Sequence, residues 1–485
     1  MAALIDFLPT TWDLVAGGLA ILLATIASAH VVLHKRDSRA AVGWVGLIWL
    51  APVVGSVTYV LLGINRIRRR AAEQRAIRPG VHTDEFERPP RLSGQVTLAP
   101  QIAHLATLAR LVDRVAGQPL TRGNAITPLV NGDQAYPAML EAIDDAERTV
   151  VLSTYIFDND PAGAQFVLAL ERAVKRGVEV RILIDAVGAR YSRPPIVKEL
   201  HERGVPVARF GVHRVPWRMP YMNLRNHRKI LVADGKLGFT GGVNIRVGSL
   251  IERQPSHPVQ DLHFKVEGPV VAHLMQAFAE DWAFTTKEIL QGSNWFPPLQ
   301  PVGGIVARGV SDGPDADFDK ARLVYLGALA CAQSSVRIMT PYFLPDSGLI
   351  TALNVAALRG VRVEIILPEE NNLALVQWAS THQLWQVLQR GCRVYYTQPP
   401  FDHSKVVVVD GGWSVIGSSN WDPRSLRLNW EFIVECYDEG LAGTLSDFID
   451  RKLAGARRVT KEVVDARSLP VKLRDGVARL AAPYL

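Results

Sequence analysis

The sequence predicts an α/β protein of two pseudo-twofold-related halves, each a mixed, mostly parallel sheet flanked by helices, behind an N-terminal two-helix membrane hairpin. Three observations carry this. A β-α-β rhythm occurs twice in the same order, an H-x-K-x-x-x-x-D string occurs once in each copy, and two apolar runs precede both. Strands joined through a covering helix run parallel, which sets the expected sheet type.

The first apolar run, from about Leu14 to Leu33, carries no formal charge and is long enough to cross a bilayer. A secretory leader fits poorly, because Asp6 and Asp13 and no Lys or Arg accompany its start. A second run extends from about Ala41 to Gly63 and contains Pro52 and Gly55. Lys35, Arg36 and Arg39 separate the runs, and Arg66, Arg68, Arg69, Arg70, Arg75 and Arg78 follow the second. Spans at 14–33 and 41–63 make residues 1–65 a hairpin with both ends on one side. The larger basic cluster puts that side, and the rest of the chain, in the cytoplasm. Pro52 and Gly55 leave room for a re-entrant dip instead of a span, but the charged connection argues against it. The arginines suit anionic lipid headgroups, and serve equally as a topology signal.

Residues 66–115 read as a basic juxtamembrane segment and linker, with Pro79, Pro89 and Pro90. Beyond it, Thr149 to Phe157 is a β-branched strand pattern, Gly163 to Arg176 a helical one closed by Gly177, and Val178 to Asp185 a strand again. Ser335 to Thr340, Ser347 to Arg359 and Val361 to Leu367 repeat that order. Each copy then reaches a β-rich segment with an Asp-Gly turn, Asp234-Gly235 and Asp410-Gly411, a hairpin signal. Pro297, Pro298 and Pro301 mark the joint, giving halves at 116–299 and 300–485. At 48% hydrophobic residues the chain can fill a core without disulfides or metal. Cys331, Cys392 and Cys436 lack metal or redox spacing and read as reduced thiols.

The chemistry is carried by His227-Arg228-Lys229 with Asp234, and His403-Ser404-Lys405 with Asp410. One match arises by chance in roughly a few per cent of chains this long, so two at equivalent places are a strong signal. His and Lys two apart on a strand share a face. Two such faces brought together give two imidazoles and two ammonium groups around one cavity. Lysines neutralise phosphate oxygens, one His attacks phosphorus, and the other protonates the leaving oxygen. A core histidine with an outward-reaching lysine explains one copy about as well, but not both. Gly241-Gly242-Val243-Asn244 and Gly417-Ser418-Ser419-Asn420 follow, where small residues admit a phosphate and Ser or Asn donate to it; turns favour the same residues.

With these strings the chain resembles the phospholipase D superfamily, from about residue 120 to the C-terminus. Leu62-Gly63-Ile64-Asn65, Tyr155-Ile156-Phe157, Asn226-His227-Arg228-Lys229, Ser311-Asp312-Gly313-Pro314, the run Thr340 to Pro345, and Asp422-Pro423-Arg424-Ser425-Leu426 with Asn429 and Glu431 narrow the likeness to the bacterial cardiolipin synthases. The resemblance implies transfer of a phosphatidyl group between two phosphatidylglycerols through a phosphohistidine, in the bacterial inner membrane as a multi-pass protein. It implies His227 as nucleophile, Asp261 as the acidic partner of His227, Glu431 as that of His403, and a structural role for Asp234 and Asp410. It further implies Ser418, Asn420 and Asn244 around the phosphate, with Gly242 standing where a Ser is usual. No metal or other cofactor is expected, since the lysines supply positive charge. Expected partners are phosphatidylglycerol and anionic bilayer lipids, not nucleic acid; self-association is left open. A lipid hydrolase, a CDP-diacylglycerol-dependent phosphatidylserine synthase or a nuclease would share the catalytic residues, and a membrane scaffold would need none of them. The aromatic and Met-rich segment from Val215 to Met222 suits a membrane interface or core packing equally.

Overall fold

The computed structural model describes residues 11–35, 38–63, 98–211, 224–314 and 319–482. The basic run from Arg66 to Arg78, most of the predicted linker, and the segment from Val215 to Met222 lie outside them. Of the described residues, those up to 63 form one compact unit and those from 98 onward another.

The N-terminal unit contains α1 (Thr11–His34), α2 (Ser38–Leu50) and α3 (Pro52–Thr58), the last continuing as a π-helical turn, Tyr59–Gly63. At 24 residues α1 is about 36 Å long, enough for a hydrocarbon core of about 30 Å. The second apolar run does not form the continuous span expected over 41–63. Ala51 leaves helical geometry at φ −142° and ψ 80°, and Pro52 has no N–H with which to continue the ladder. The chain folds back there. A Cβ on Gly55 would lie 2.4 Å from the Leu47 carbonyl oxygen, whereas residues eight apart in an unbroken helix are separated by about 12 Å. The Tyr59 ring lies 5.4 Å from that of Trp44. Its hydroxyl shares a 2.8 Å hydrogen bond with His30 Nδ1 on α1. Ala24, Ala27, Val31, Ile48 and Tyr59 bury one another, so α2 and α3 lie side by side against α1. Each is about 20 Å long or less, too short to cross.

In the second unit one sheet runs through both halves. The first half supplies β1 (Thr121–Val130), β2 (Thr149–Thr154), β3 (Glu179–Asp185), β4 (Val207–Phe210), β5 (Ile230–Ala233), β6 (Leu237–Gly241) and β7 (Leu262–Glu267). The second supplies β8 (Ile305–Asp312), β9 (Ser335–Met339), β10 (Arg362–Pro368), β11 (Arg393–Thr397), β12 (Val406–Val409), β13 (Trp413–Gly417) and β14 (Glu431–Tyr437), with β15 (Arg457–Val459) at the edge. From the centre outward the order is β1-β7-β6-β5-β2-β3-β4 on one side and β8-β14-β13-β12-β9-β10-β11 on the other. The orders are identical and β1 meets β8 antiparallel, so the duplication is a pseudo-twofold passing between them. Only β2-β3-β4 and β9-β10-β11 are parallel in this sheet. Antiparallel pairings outnumber them, contrary to the mostly parallel expectation: the tight hairpins β5–β6 and β12–β13 can pair in no other way, and the central strands pair antiparallel as well.

Helices cover the sheet, among them α4 (Ala106–Ala116), α5 (Val271–Thr286), α6 (Lys320–Cys331), α7 (Ala374–Gln383) and α8 (Leu469–Leu480). The expected linker gives way to structure before its end at residue 115. Leu105, Leu108 and Val112, just ahead of the first half, are buried in the core of the second, and α4 packs on α6. There Arg308, completely buried, bridges Asp113 and Glu435. Conversely, the Thr149 hydroxyl of the first half bonds the Asn294 carbonyl in the segment leading to the second, 3.3 Å away.

Candidate active site

The hairpin turns fix where the motif begins and ends. Asp234 and Asp410 adopt left-handed backbone (φ 50° and 51°), each followed by a Gly in the same region. Their carboxylates leave the reacting groups alone and clamp the neighbouring strand start. Asp234 accepts from Glu147, Arg148 and Thr149 N–H at 2.7–3.0 Å. Asp410 accepts from Gln333, Ser334 and Ser335 N–H, each at 2.8 Å, and pairs with His104 Nε2 at 2.7 Å. These two motif residues are structural.

At the other end of the hairpin strands, His227 and Lys229 precede β5, and His403 and Lys405 precede β12. Each ammonium folds back on its own histidine: Lys229 Nζ donates to the His227 carbonyl at 2.8 Å, and Lys405 Nζ to that of His403. The segments entering the motifs pair across the pseudo-dyad. Asn226 bridges Trp430, His227 N–H donates to the Trp430 carbonyl (2.9 Å), and His403 N–H to the Gln260 carbonyl (2.7 Å). Phe401–Asp402 lies parallel to Val259–Gln260.

This crossing decides which acid serves which histidine. Trp430 and Gln260 immediately precede Glu431 and Asp261, so each carboxylate is delivered to the other half's imidazole. His403 Nδ1 is 2.7 Å from Asp261, and His227 Nδ1 is 3.3 Å from Glu431. The expected same-half pairing is therefore corrected to a crosswise one. The crosswise contacts bring both histidines and both lysines together across the pseudo-dyad.

Two descriptions of known families match the chain. That of cardiolipin synthase, phospholipase D-like domain, covers residues 139–282 and 325–453, and that of the phospholipase D-nuclease N-terminal region covers 22–63. Cardiolipin synthase A of Pseudomonas aeruginosa is 33% identical over 96% of this chain and 94% of its own. The cardiolipin synthase of Geobacillus kaustophilus is 30% identical over 94% and 91%. The chain belongs to the cardiolipin synthase family of the phospholipase D superfamily. Phosphatidylserine synthase of Haemophilus influenzae shares the fold, with a TM-score of 0.62 over 78% of this chain and all of that one, at 16% identity.

The two half-sites of this family member are not copies. Ser418 Oγ donates to Glu431 at 2.5 Å and Asn429 Nδ2 donates at 3.1 Å. Ser418 thus orients the carboxylate that orients His227, which is a supporting role and not phosphate binding. Asp261 is one methylene shorter and draws back against Gly242, where a Cβ would sit 2.1 Å from its Oδ1. Gly242 is therefore the complement of the shorter acid, and the hydroxyl that seemed missing has no room. Asn420 Nδ2 donates to Ser425 Oγ (3.1 Å) and Asn244 Oδ1 accepts from Ile156 N–H (3.3 Å), so both brace loops behind the site.

Sequence reasoning missed three contributors. Arg228, fully buried, ties the first motif to Asp281 on α5 (2.8 Å) and to the Glu431 and Asp312 carbonyls. Tyr155 lies 4.3 Å from the His227 ring and 5.9 Å from Lys229 Nζ, and Tyr342 lies 6.0 Å from His403. All three stand in strings used for the family likeness, but nothing in their spacing marks a site.

Burial shapes the electrostatics. It pushes the Lys405 ammonium down to about 8 and lowers Lys229. It raises Asp261 to about 7 and, with Lys405 and Lys229, drives His403 well below the ordinary histidine value, so the Asp261–His403 pair takes up and releases a proton close to neutrality. Burial alone would raise Glu431, but His227, Lys229 and Ser418 outweigh it and keep Glu431 ionised. Burial lowers His227, with Glu431 partly offsetting, which leaves its imidazole neutral. One half-site thus holds a neutral imidazole beside an ionised carboxylate, and the other a pair that exchanges a proton close to neutrality, a difference that suits nucleophilic attack with leaving-group protonation.

Two outcomes follow from this geometry. Gly242→Ala forces Asp261 off His403 and should cost about 10²-fold in turnover with the circular dichroism spectrum unchanged. The pH profile of kcat/KM should be bell-shaped. Its acid limb lies below the ordinary histidine value of 6.5, where His227 gains a proton. Its alkaline limb lies between about 7 and about 8, where the Asp261–His403 proton and then the Lys405 charge are lost.

Proposed function

We propose that this chain joins two phosphatidylglycerol molecules into cardiolipin and glycerol. The observation that carries this is the pair of unlike half-sites brought together across the pseudo-dyad in a member of this family. His227 attacks the phosphorus of the first lipid, its Nδ1–H held by Glu431. The bond from phosphorus to the headgroup glycerol breaks, and the departing oxygen takes the proton held by His403 and Asp261. The product is phosphatidyl-His227. His403, now a base, removes the proton from the headgroup hydroxyl of a second phosphatidylglycerol. That oxygen attacks phosphorus, the P–N bond breaks, and His227 is regenerated. Lys229 and Lys405 neutralise the phosphoryl oxygens while charge gathers on them.

Purified protein on phosphatidylglycerol vesicles should yield cardiolipin and glycerol by mass analysis. Brief reaction with labelled lipid should mark His227, and His227→Ala should abolish both. Accumulation of phosphatidate would favour the hydrolase, a requirement for CDP-diacylglycerol the phosphatidylserine synthase, and label on His403 would reverse the roles.

The placement that fits best is the bacterial inner membrane with the catalytic unit on the cytoplasmic face and one crossing, by α1. The folded-back α2–α3 pair dips in and returns. This brings Lys35, Arg36 and Arg39 to the same side as the six arginines between Arg66 and Arg78, as the distribution of positive charge favours, whereas two spans would separate them. A cysteine at Ser38 should react with an impermeant maleimide from the side that carries a C-terminal tag. Reaction from the opposite side would restore two full spans.

A further inference from the structure

The C-terminal helix α8 carries an apolar stripe that the body does not use. Leu469, Leu473, Val477 and Leu480 fall on one face at helical spacing and are 68%, 61%, 66% and 79% exposed. The opposite face holds the helix in place. Ala478 is buried with Leu344, Val376 and Ala379, Asp475 is buried and paired with Arg467, and the Arg474 guanidinium stacks 4.3 Å over Trp378 of α7. α8 is therefore a docked helix showing its hydrophobic side outward. Leu373 and Leu375 at the start of α7 are exposed as well. Lys472 and Arg479 add cationic groups to the same helix.

We propose that α8 and the start of α7 form a surface that rests in the headgroup layer of an anionic bilayer, on the face connected through Tyr342 to His403. Two observations choose the bilayer over a protein partner. Lys472 and Arg479, both partly exposed, accompany the leucines, whereas Arg474 is taken up by Trp378 and Asp475; a basic and apolar helix of this kind complements anionic headgroups. The layer is also continuous with the catalytic centre. Trp378 and Tyr342 pack in one cluster with Ala478, Tyr342 OH donates to Asn372 just before α7 at 2.8 Å, and Tyr342 stands 6.0 Å from His403. A lipid that follows this face arrives at the second half-site without its acyl chains crossing water. The reading of the reaction requires lipid access but does not require this surface, so the two fail separately.

The test uses the full chain in proteoliposomes of phosphatidylglycerol and phosphatidylcholine. Cys331, the half-buried native thiol, is replaced by Ser, and Val477→Cys carries an environment-sensitive fluorophore. Acyl chains brominated near the headgroup should quench it several-fold more than they quench a label at the exposed Leu168→Cys on the first half. A water-exposed emission without quenching overturns the proposal. Shielded emission without lipid quenching also overturns it, and assigns the face to a second copy or to another segment of the chain. As a functional measure, Leu473→Gln with Val477→Gln should raise KM for bilayer phosphatidylglycerol several-fold, leaving kcat and the turnover of a short-chain, monomeric substrate unchanged. An unchanged KM contradicts the proposal.

Discussion

The catalytic centre depends on one constraint: each imidazole is oriented by a carboxylate from the opposite half. Neither repeat can complete a half-site alone. The parallel bridges of Asn226 with Trp430 and of Phe401–Asp402 with Val259–Gln260 place the acids, and the continuous sheet through β1 and β8 keeps those bridges in register. The helices ahead of the first half reinforce the same joint, since α4 sits in the core of the second and Arg308 links Asp113 to Glu435 there. The duplication is thus one folding body.

Asymmetry within that twofold frame supplies the chemistry. Two identical half-sites would hold two equivalent histidines, and nothing would separate base from acid. Exchanging a Glu–Ser pair for an Asp–Gly pair breaks the tie. Glu431, bonded by Ser418 and Asn429, stays ionised beside a neutral His227, while Asp261 beside His403 gains and loses its proton close to neutrality. Environments that push two carboxyl groups apart in this way commonly assign acid and base roles. The buried lysines add the positive charge that suits a phosphodiester anion.

Much of this was legible in the sequence. The two H-x-K-x-x-x-x-D strings marked both histidines and lysines, although these lie just ahead of β5 and β12 and not within a strand, and each lysine folds back on its own histidine carbonyl. The Asp-Gly turns announced both hairpins. What failed has physical reasons. The crosswise assignment of Asp261 and Glu431 is a property of contacts between halves, which a linear order of motifs does not encode. Gly242 looked like a lost donor because only the position of Asp261 reveals what the missing side chain makes room for. The second apolar run had the length of a span, and hydropathy does not register a reversal at Ala51; Pro52 and Gly55 were the signals. Residues near 100–116 were assigned to a linker by proximity to prolines, although their apolar spacing was helical.

A double-mutant cycle on the imidazoles and the two acids tests the central claim most directly. His403 and Asp261, and likewise His227 and Glu431, should show strongly non-additive losses of kcat/KM, since removing either member of a pair disables the same unit. The same-half combinations, His227 with Asp261 and His403 with Glu431, should be closer to additive. Stronger coupling within each half than across the pseudo-dyad would contradict the crosswise site.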